Sequence, residues 1–248
     1  MIRRARVALK VVAWVACLAP LAALGYRVYT GDLTANPISF ITNWLGDWTL
    51  RILLASLAMT PLRILFHWSW PVTLRRLLGL FAFFYASLHF SVWLVLDHFF
   101  DWRQMGADIV KRPYITVGMT ALLLMIPLAV TSTAGAIRRL GGARWQWLHR
   151  LVYVIGVCAV LHYLWLAKKA NPDPYYYAAA FIVLMVIRGG LGAAGLGAAD
   201  RGAPLAPALS PGGRGSLGAA TSSAGSRGSR PRRDPWCPAL PRPRGAPP

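Results

Sequence analysis

Three histidines of this chain stand in apolar sequence: His89, with no charged residue between Arg76 and Asp97, and His149 and His162, which follow a basic loop. An imidazole in hydrocarbon gives up its water partners, so an intramembrane His has either a hydrogen-bond partner or a task. In an apolar bundle with almost no carboxylates the fitting task is haem ligation, neutral imidazole nitrogens from facing helices binding iron. The plain alternative is donation to a carbonyl or hydroxyl of a neighbouring helix. All eight acids are Asp and none is Glu, which leaves little for general acid–base chemistry. Cys17, Cys158 and Cys237 lie far apart with no CxxC, so a disulfide framework, a zinc site and redox thiols are not expected.

Spacing sorts the histidines by depth. His149 and His162 are 13 residues apart, about 20 Å along a helix axis. His89 lies 13 residues beyond Arg76 and 14 beyond Arg75 on a span running the same way. His89 and His162 are therefore expected at one height, in the outer half of the bilayer, where two neighbouring helices could offer a bis-His site. Thirteen residues is about 3.6 helical turns, so His149 and His162 do not project from one line and tilt must help. His149 is expected near the inner surface as a third ligand or an inner cofactor contact, with Arg75, Arg76, Arg144 and Arg150 nearby. Those arginines could hold haem propionates, a flavin phosphate or a quinone headgroup; they could equally be ordinary basic loop residues. His67 and His98 fall at the membrane surfaces and take no role.

The elements that must position these residues are membrane spans. The chain has 248 residues, a net charge of +19, 56% apolar and 14% charged residues, and a mean hydropathy of +0.46, which points to a bilayer rather than a soluble domain. Six stretches approach the roughly 20 residues that cross the hydrocarbon as helix: 7–26, 44–66, 77–96, 114–132, 148–167 and 175 to about 191. The second contains Asp47 and Arg51, four apart with the acid first, which lets them meet on one helix face. Pro113 suits a first helical turn, whereas Pro20 and Pro127 are expected to kink their helices. Basic loops lie at the amino terminus, between the second and third stretches, and between the fourth and fifth, so both termini are expected in the cytoplasm, with an uncleaved first span. Eight of the eleven Trp lie at or beside span ends, as an aromatic belt does.

Beyond Arg188 the composition changes. Residues 189–248 hold 13 Gly, 10 Pro and 8 Arg, too little apolar surface to offset ordering entropy, and are expected to be a disordered tail. Its Arg could suit nucleic acid, but it lacks interleaved aromatics, so no nucleic-acid partner is expected. A slipped reading frame near Arg188 would give the same composition, and resequencing the gene tests that.

The runs WLGDWTLRILLASLAMTPLR (44–63), RRLLGLFAFFYASLHF (75–90), KRPYITVG (111–118), TSTAGAIRRLGGARWQWLHRLVYV (131–154) and HYLW (162–165) resemble the MsrQ family. Its members are the haem-binding membrane subunits of the bacterial protein-methionine-sulfoxide reductase system, within the ferric-reductase-like transmembrane group. The resemblance covers about residues 1–188. It implies an all-α membrane protein, a six-transmembrane-helix bundle of the inner membrane that carries electrons through haem b. Their source is the quinone pool or a reduced flavin, and their destination a periplasmic molybdopterin subunit that reduces methionine sulfoxide in oxidised proteins. It implies an electron-transfer subunit rather than the catalytic one, with His89, His149 and His162 as haem ligands, and FMN as a further cofactor without assigned contacts. Related two-haem reductases have a His near the inner end of the third helix, where this chain has Arg75 and Arg76; a complete inner bis-His haem is therefore not expected. A ferric or cupric reductase of the same architecture is the nearest alternative, but it needs a nicotinamide and flavin domain, and no GxGxxG follows a strand here. A proton or substrate transporter using His and the Asp47/Arg51 pair is the alternative from another class, and it predicts no haem colour.

Overall fold

The computed structural model describes residues 3–66, 70–166 and 172–201, and these are helical with no strand among them. They lie within one compact unit, Met1–Ala203. The helices are α1 (Arg3–Thr30), α2 (Pro37–Phe66), α3 (Pro71–Val92), α4 (Trp102–Lys111), α5 (Pro113–Val130), α6 (Ala134–Leu140), α7 (Gly142–His149), α8 (Leu151–Leu166) and α9 (Asp173–Arg201).

The boundaries follow local chemistry. Ser39 N–H donates to Asn36 Oδ1 at the start of α2, and Pro113 begins α5, where a missing N–H costs nothing. Asp101 caps α4 by accepting from Arg103 and Gln104 N–H. Gly141, at φ 77°, separates α6 from α7. α3 ends in a π-helical turn, Trp93–Asp97.

Five helical segments are long and apolar enough to cross a membrane: Val7–Thr30, Pro37–Phe66, Thr73–Asp97, Pro113–Val130 and Gly142–Leu166. The first three contain the expected stretches 7–26, 44–66 and 77–96; the fourth ends two residues before the end of 114–132, and the fifth covers 148–166. The sixth falls in α9, whose described apolar run is short, bounded by Tyr175, Tyr176 and Tyr177 on one side and Arg188 on the other. One boundary moves. The expected tail begins at residue 189, and α9 continues to Arg201, through a segment, LGAAGLGAA, in which Ala and Leu favour helix and three Gly oppose it. Residues 202–248, the rest of the expected tail, lie outside the described residues, as does His67.

Packing pairs α2 with α3 and α5 with α8, while α9 lies against α2 and α8 and α1 touches α2 and α3. Lipid removes most of the hydrophobic drive between helices, so close approach at small residues and interhelical hydrogen bonds carry the association. Ala82 is fully buried beside Tyr85, whose hydroxyl donates to the Cys17 carbonyl at 2.7 Å. Gly156 lets α9 close on α8, since a Cβ there would stand 2.5 Å from the Phe181 ring. Large apolar side chains such as Val15, Leu123, Val157 and Val186 face outward, as a lipid-facing exterior requires.

Asp47 and Arg51 do not form the expected ion pair. Arg51 Nε donates to the Tyr177 hydroxyl at 2.6 Å and its guanidinium lies over the Trp48 ring. The Tyr163 hydroxyl lies near Asp47.

Candidate functional site

His89 projects from α3 and His162 from α8. The fold brings their rings together, with centroids 6.2 Å apart and planes at 86°. Each ring rests against another helix in the same way. His89 Nδ1 lies 2.8 Å from the Thr42 carbonyl of α2, and His162 Nδ1 lies 2.7 Å from the Tyr114 carbonyl of α5. A carbonyl only accepts, so both Nδ1 atoms carry the proton and both Nε2 atoms carry the lone pair.

The space for each ring comes from a glycine one turn after that carbonyl. A Cβ on Gly46 would stand 3.2 Å from His89 Cε1, and one on Gly118 would stand 2.7 Å from His162 Nδ1. Thr42 with Gly46, and Tyr114 with Gly118, share one device: a carbonyl at position i and a bare backbone at i+4 on the same helix face. The carbonyl sets the tautomer and the glycine admits the ring, so both imidazoles are oriented before any metal arrives.

What this pair can do follows from coordination number. No cluster of three His, Cys or acidic side chains able to hold a bare metal ion occurs among the described residues. A porphyrin supplies four nitrogens of its own, so an iron porphyrin needs only two axial ligands. Neither Nε2 has a hydrogen-bond partner among the described residues. Metal–imidazole bonds of about 2 Å can be accommodated between rings at this spacing. A ligating His usually donates its other N–H to a carbonyl or carboxylate, which raises its basicity and holds its orientation, and both rings already do so. The residues fit haem.

His149 stands apart. It ends α7, near the opposite end of the bundle, where its Nε2 lies 3.1 Å from Thr131 Oγ1 and its ring stacks on Trp145 at 4.0 Å. Trp145 Nε1 donates to the Thr131 carbonyl at 2.9 Å, tying the stack to the end of α5. Arg75 is close enough for its charge to act on His149. Of the other expected arginines, Arg76, Arg144 and Arg150 are exposed. The fold thus brings His89 to His162, and Arg75 to His149, but does not bring His149 to the pair. His98, assigned no role from sequence, is buried with Nε2 3.2 Å from Asp108 and Nδ1 3.5 Å from Asp97.

Sequence reasoning missed Thr42, Gly46, Tyr114 and Gly118. Their signal is present: each glycine lies four residues after the residue whose carbonyl binds a ring, on a helix facing a histidine span. Arg188, on α9, was also missed, and it lies over the Tyr153 ring near Arg75.

Residues 45–160 match the family model described as ferric reductase like transmembrane component. The chain is 52% identical over 182 residues to a protein of Herminiimonas arsenicoxydans named protein-methionine-sulfoxide reductase heme-binding subunit MsrQ, covering 73% of this chain and 84% of that protein. Proteins of the same name from Rhodospirillum rubrum and Caulobacter vibrioides are 54% and 49% identical, over 72% and 71% of this chain and 86% and 83% of theirs. The chain belongs to the MsrQ family. The matched region of the family model, 45–160, includes His89 and His149 with the Gly46 and Gly118 cradles, and stops just before His162. The MsrQ relatives extend the likeness over about three quarters of the chain.

Proposed function

We propose that this chain is a haem b-binding electron-transfer subunit of a protein-methionine-sulfoxide reductase system. The observation that carries the reading is the pair of imidazoles from α3 and α8, each with Nδ1 committed to a carbonyl and Nε2 left to ligate. Between them haem b supplies a one-electron carrier inside the bilayer. The protein's part is to hold His89 and His162 in the ligating tautomer through Thr42 and Tyr114, and to leave room for each ring at Gly46 and Gly118. Packing of α2 on α3 and of α5 on α8 keeps water from the pair.

Electrons enter from the quinone pool or a reduced flavin at the inner end and leave at the outer end to a periplasmic molybdopterin subunit. That subunit, not this chain, reduces methionine sulfoxide in oxidised proteins. The basic residues of the loops support a bacterial inner-membrane topology of six spans, α9 being the last, with both termini cytoplasmic. Residues 1–188 form the haem-binding domain, and the Gly/Pro/Arg segment forms a tail outside it. His149 serves as a third ligand or inner cofactor contact, and FMN as a second cofactor at that end.

The test is a reduced-minus-oxidised spectrum of the detergent-purified protein with His89→Ala, His149→Ala and His162→Ala. Wild type should show a haem b band that His89→Ala and His162→Ala abolish. A colourless wild type made with ample haem supply, or a band surviving both of those variants, overturns the reading.

A further inference from the structure

The inner ends of α3, α8 and α9 collect positive charge that no carboxylate pairs with among the described residues. Arg188 of α9 is half-buried with its guanidinium over the Tyr153 ring, Cζ 5.0 Å from the centroid. Its Nη1 is wholly buried and has no hydrogen-bond partner among the described residues. Arg75 of α3, also half-buried, makes one long bond, Nη1 to Thr60 Oγ1 at 3.5 Å. The charge of Arg188 acts directly on Arg75, and that of Arg75 on His149.

Neither guanidinium is in an ion pair among the described residues. The chain has no Glu, and before Arg188 its acids are Asp32, Asp47, Asp97, Asp101, Asp108 and Asp173, on loops or helix segments toward the other end. A guanidinium with a buried, unsatisfied N–H is costly, and two close enough to act on each other repel. An unsatisfied buried donor beside a second cation marks a place where an anion belongs. A neutral quinone ring would leave both charges uncompensated. A phosphate carries close to two negative charges near neutral pH and enough acceptor oxygens for both forks.

We propose that Arg75 and Arg188 form a phosphate-binding site at the inner end of the bundle, beside Tyr153 and His149. The phosphate belongs either to a flavin nucleotide or to an anionic phospholipid headgroup; two neighbouring guanidiniums match the doubly charged monoester of the nucleotide better than a singly charged diester. The site names where a donor-side ligand sits in the electron-transfer reading, and it rests on that reading for its purpose, not for its existence.

The experiment uses the full chain in a non-phosphate, uncharged detergent, as wild type, Arg188→Gln, Arg75→Gln and Arg188→Lys. FMN and riboflavin, which differ by the phosphate, are titrated by flavin fluorescence; dioleoylphosphatidylglycerol and dioleoylphosphatidylcholine are compared by the shift in melting temperature. For a nucleotide site, wild type binds FMN at least about tenfold more tightly than riboflavin, both Gln variants lose that preference, and Arg188→Lys keeps part of it. For a lipid site, phosphatidylglycerol alone stabilises wild type and neither Gln variant. A wild type that distinguishes neither pair, or Gln variants that keep the preference, overturns the proposal. The haem spectrum of each sample reports the fold separately, so a colourless wild type that still prefers FMN refutes the haem reading and not the phosphate site. If Arg75→Gln does not fold, the two Arg188 variants decide the matter.

Discussion

The two ends of this bundle treat their histidines differently. At the outer pair, both Nδ1 atoms meet backbone carbonyls and both rings lie over a glycine, so each imidazole keeps Nε2 available. At the other end, His149 has Nε2 against Thr131 Oγ1, its ring covered by Trp145, and the Arg75 charge near it rather than a second imidazole. One end presents two like imidazoles with both Nε2 atoms unbonded, as the proposed haem would need, whereas the other holds one imidazole against Trp145 within reach of the Arg75 charge. Which ring nitrogen is already hydrogen-bonded differs between the two ends although the residue type does not.

The largest effects should separate them. His89→Ala or His162→Ala removes an axial ligand, and haem content by the pyridine haemochrome assay should fall to near background. His149→Ala should leave the outer haem band in place; equal loss in all three variants would erase the distinction. Next comes Gly118→Ala. Its Cβ would stand 2.7 Å from His162 Nδ1, so the ring must leave the Tyr114 carbonyl, and haem affinity should fall about 10- to 100-fold, the usual cost of a lost second-shell partner. Gly46→Ala, at 3.2 Å from the His89 ring, should give a smaller loss in the same titration, and a reversed order would refute the cradle.

Gly156→Ala tests packing with no ligand involved. The added methyl overlaps Phe181, so the variant should lower the melting temperature by the equivalent of about 1–3 kcal/mol while keeping the haem spectrum; Phe181→Leu should restore most of it. The smallest effect is expected from Thr131→Val. Loss of the hydroxyl beside His149 should cost about 0.6 kcal/mol, typical of an interhelical hydrogen bond in a membrane, with the outer haem band unmoved. A shifted outer band in Thr131→Val would couple the two ends.

Much of the frame was legible. Span length and uninterrupted hydropathy located five membrane-crossing helices, because bilayer thickness sets helix length whatever packs beside it. The shared depth of His89 and His162 was legible too, since rise per residue converts spacing into height. The cradles were not. Depth gives no azimuth, and whether a glycine meets a ring depends on which helices are neighbours. The Asp47/Arg51 pair misled for the same reason: four-residue spacing permits an ion pair, but Tyr177 arrives from α9 and takes Arg51. Arg188 read as the last residue before a change of composition, and only helix packing places it over Tyr153 beside Arg75.

By itself, then, the order of residues determined the solvent this protein lives in, the heights of its imidazoles and the shortage of carboxylates, because each is a property of one segment against a uniform slab of lipid. Tertiary structure decided which nitrogen of each imidazole is free, which glycines make room, and which cations lack a partner. Those depend on contacts between helices far apart in the chain, whose rotations about their own axes only packing sets.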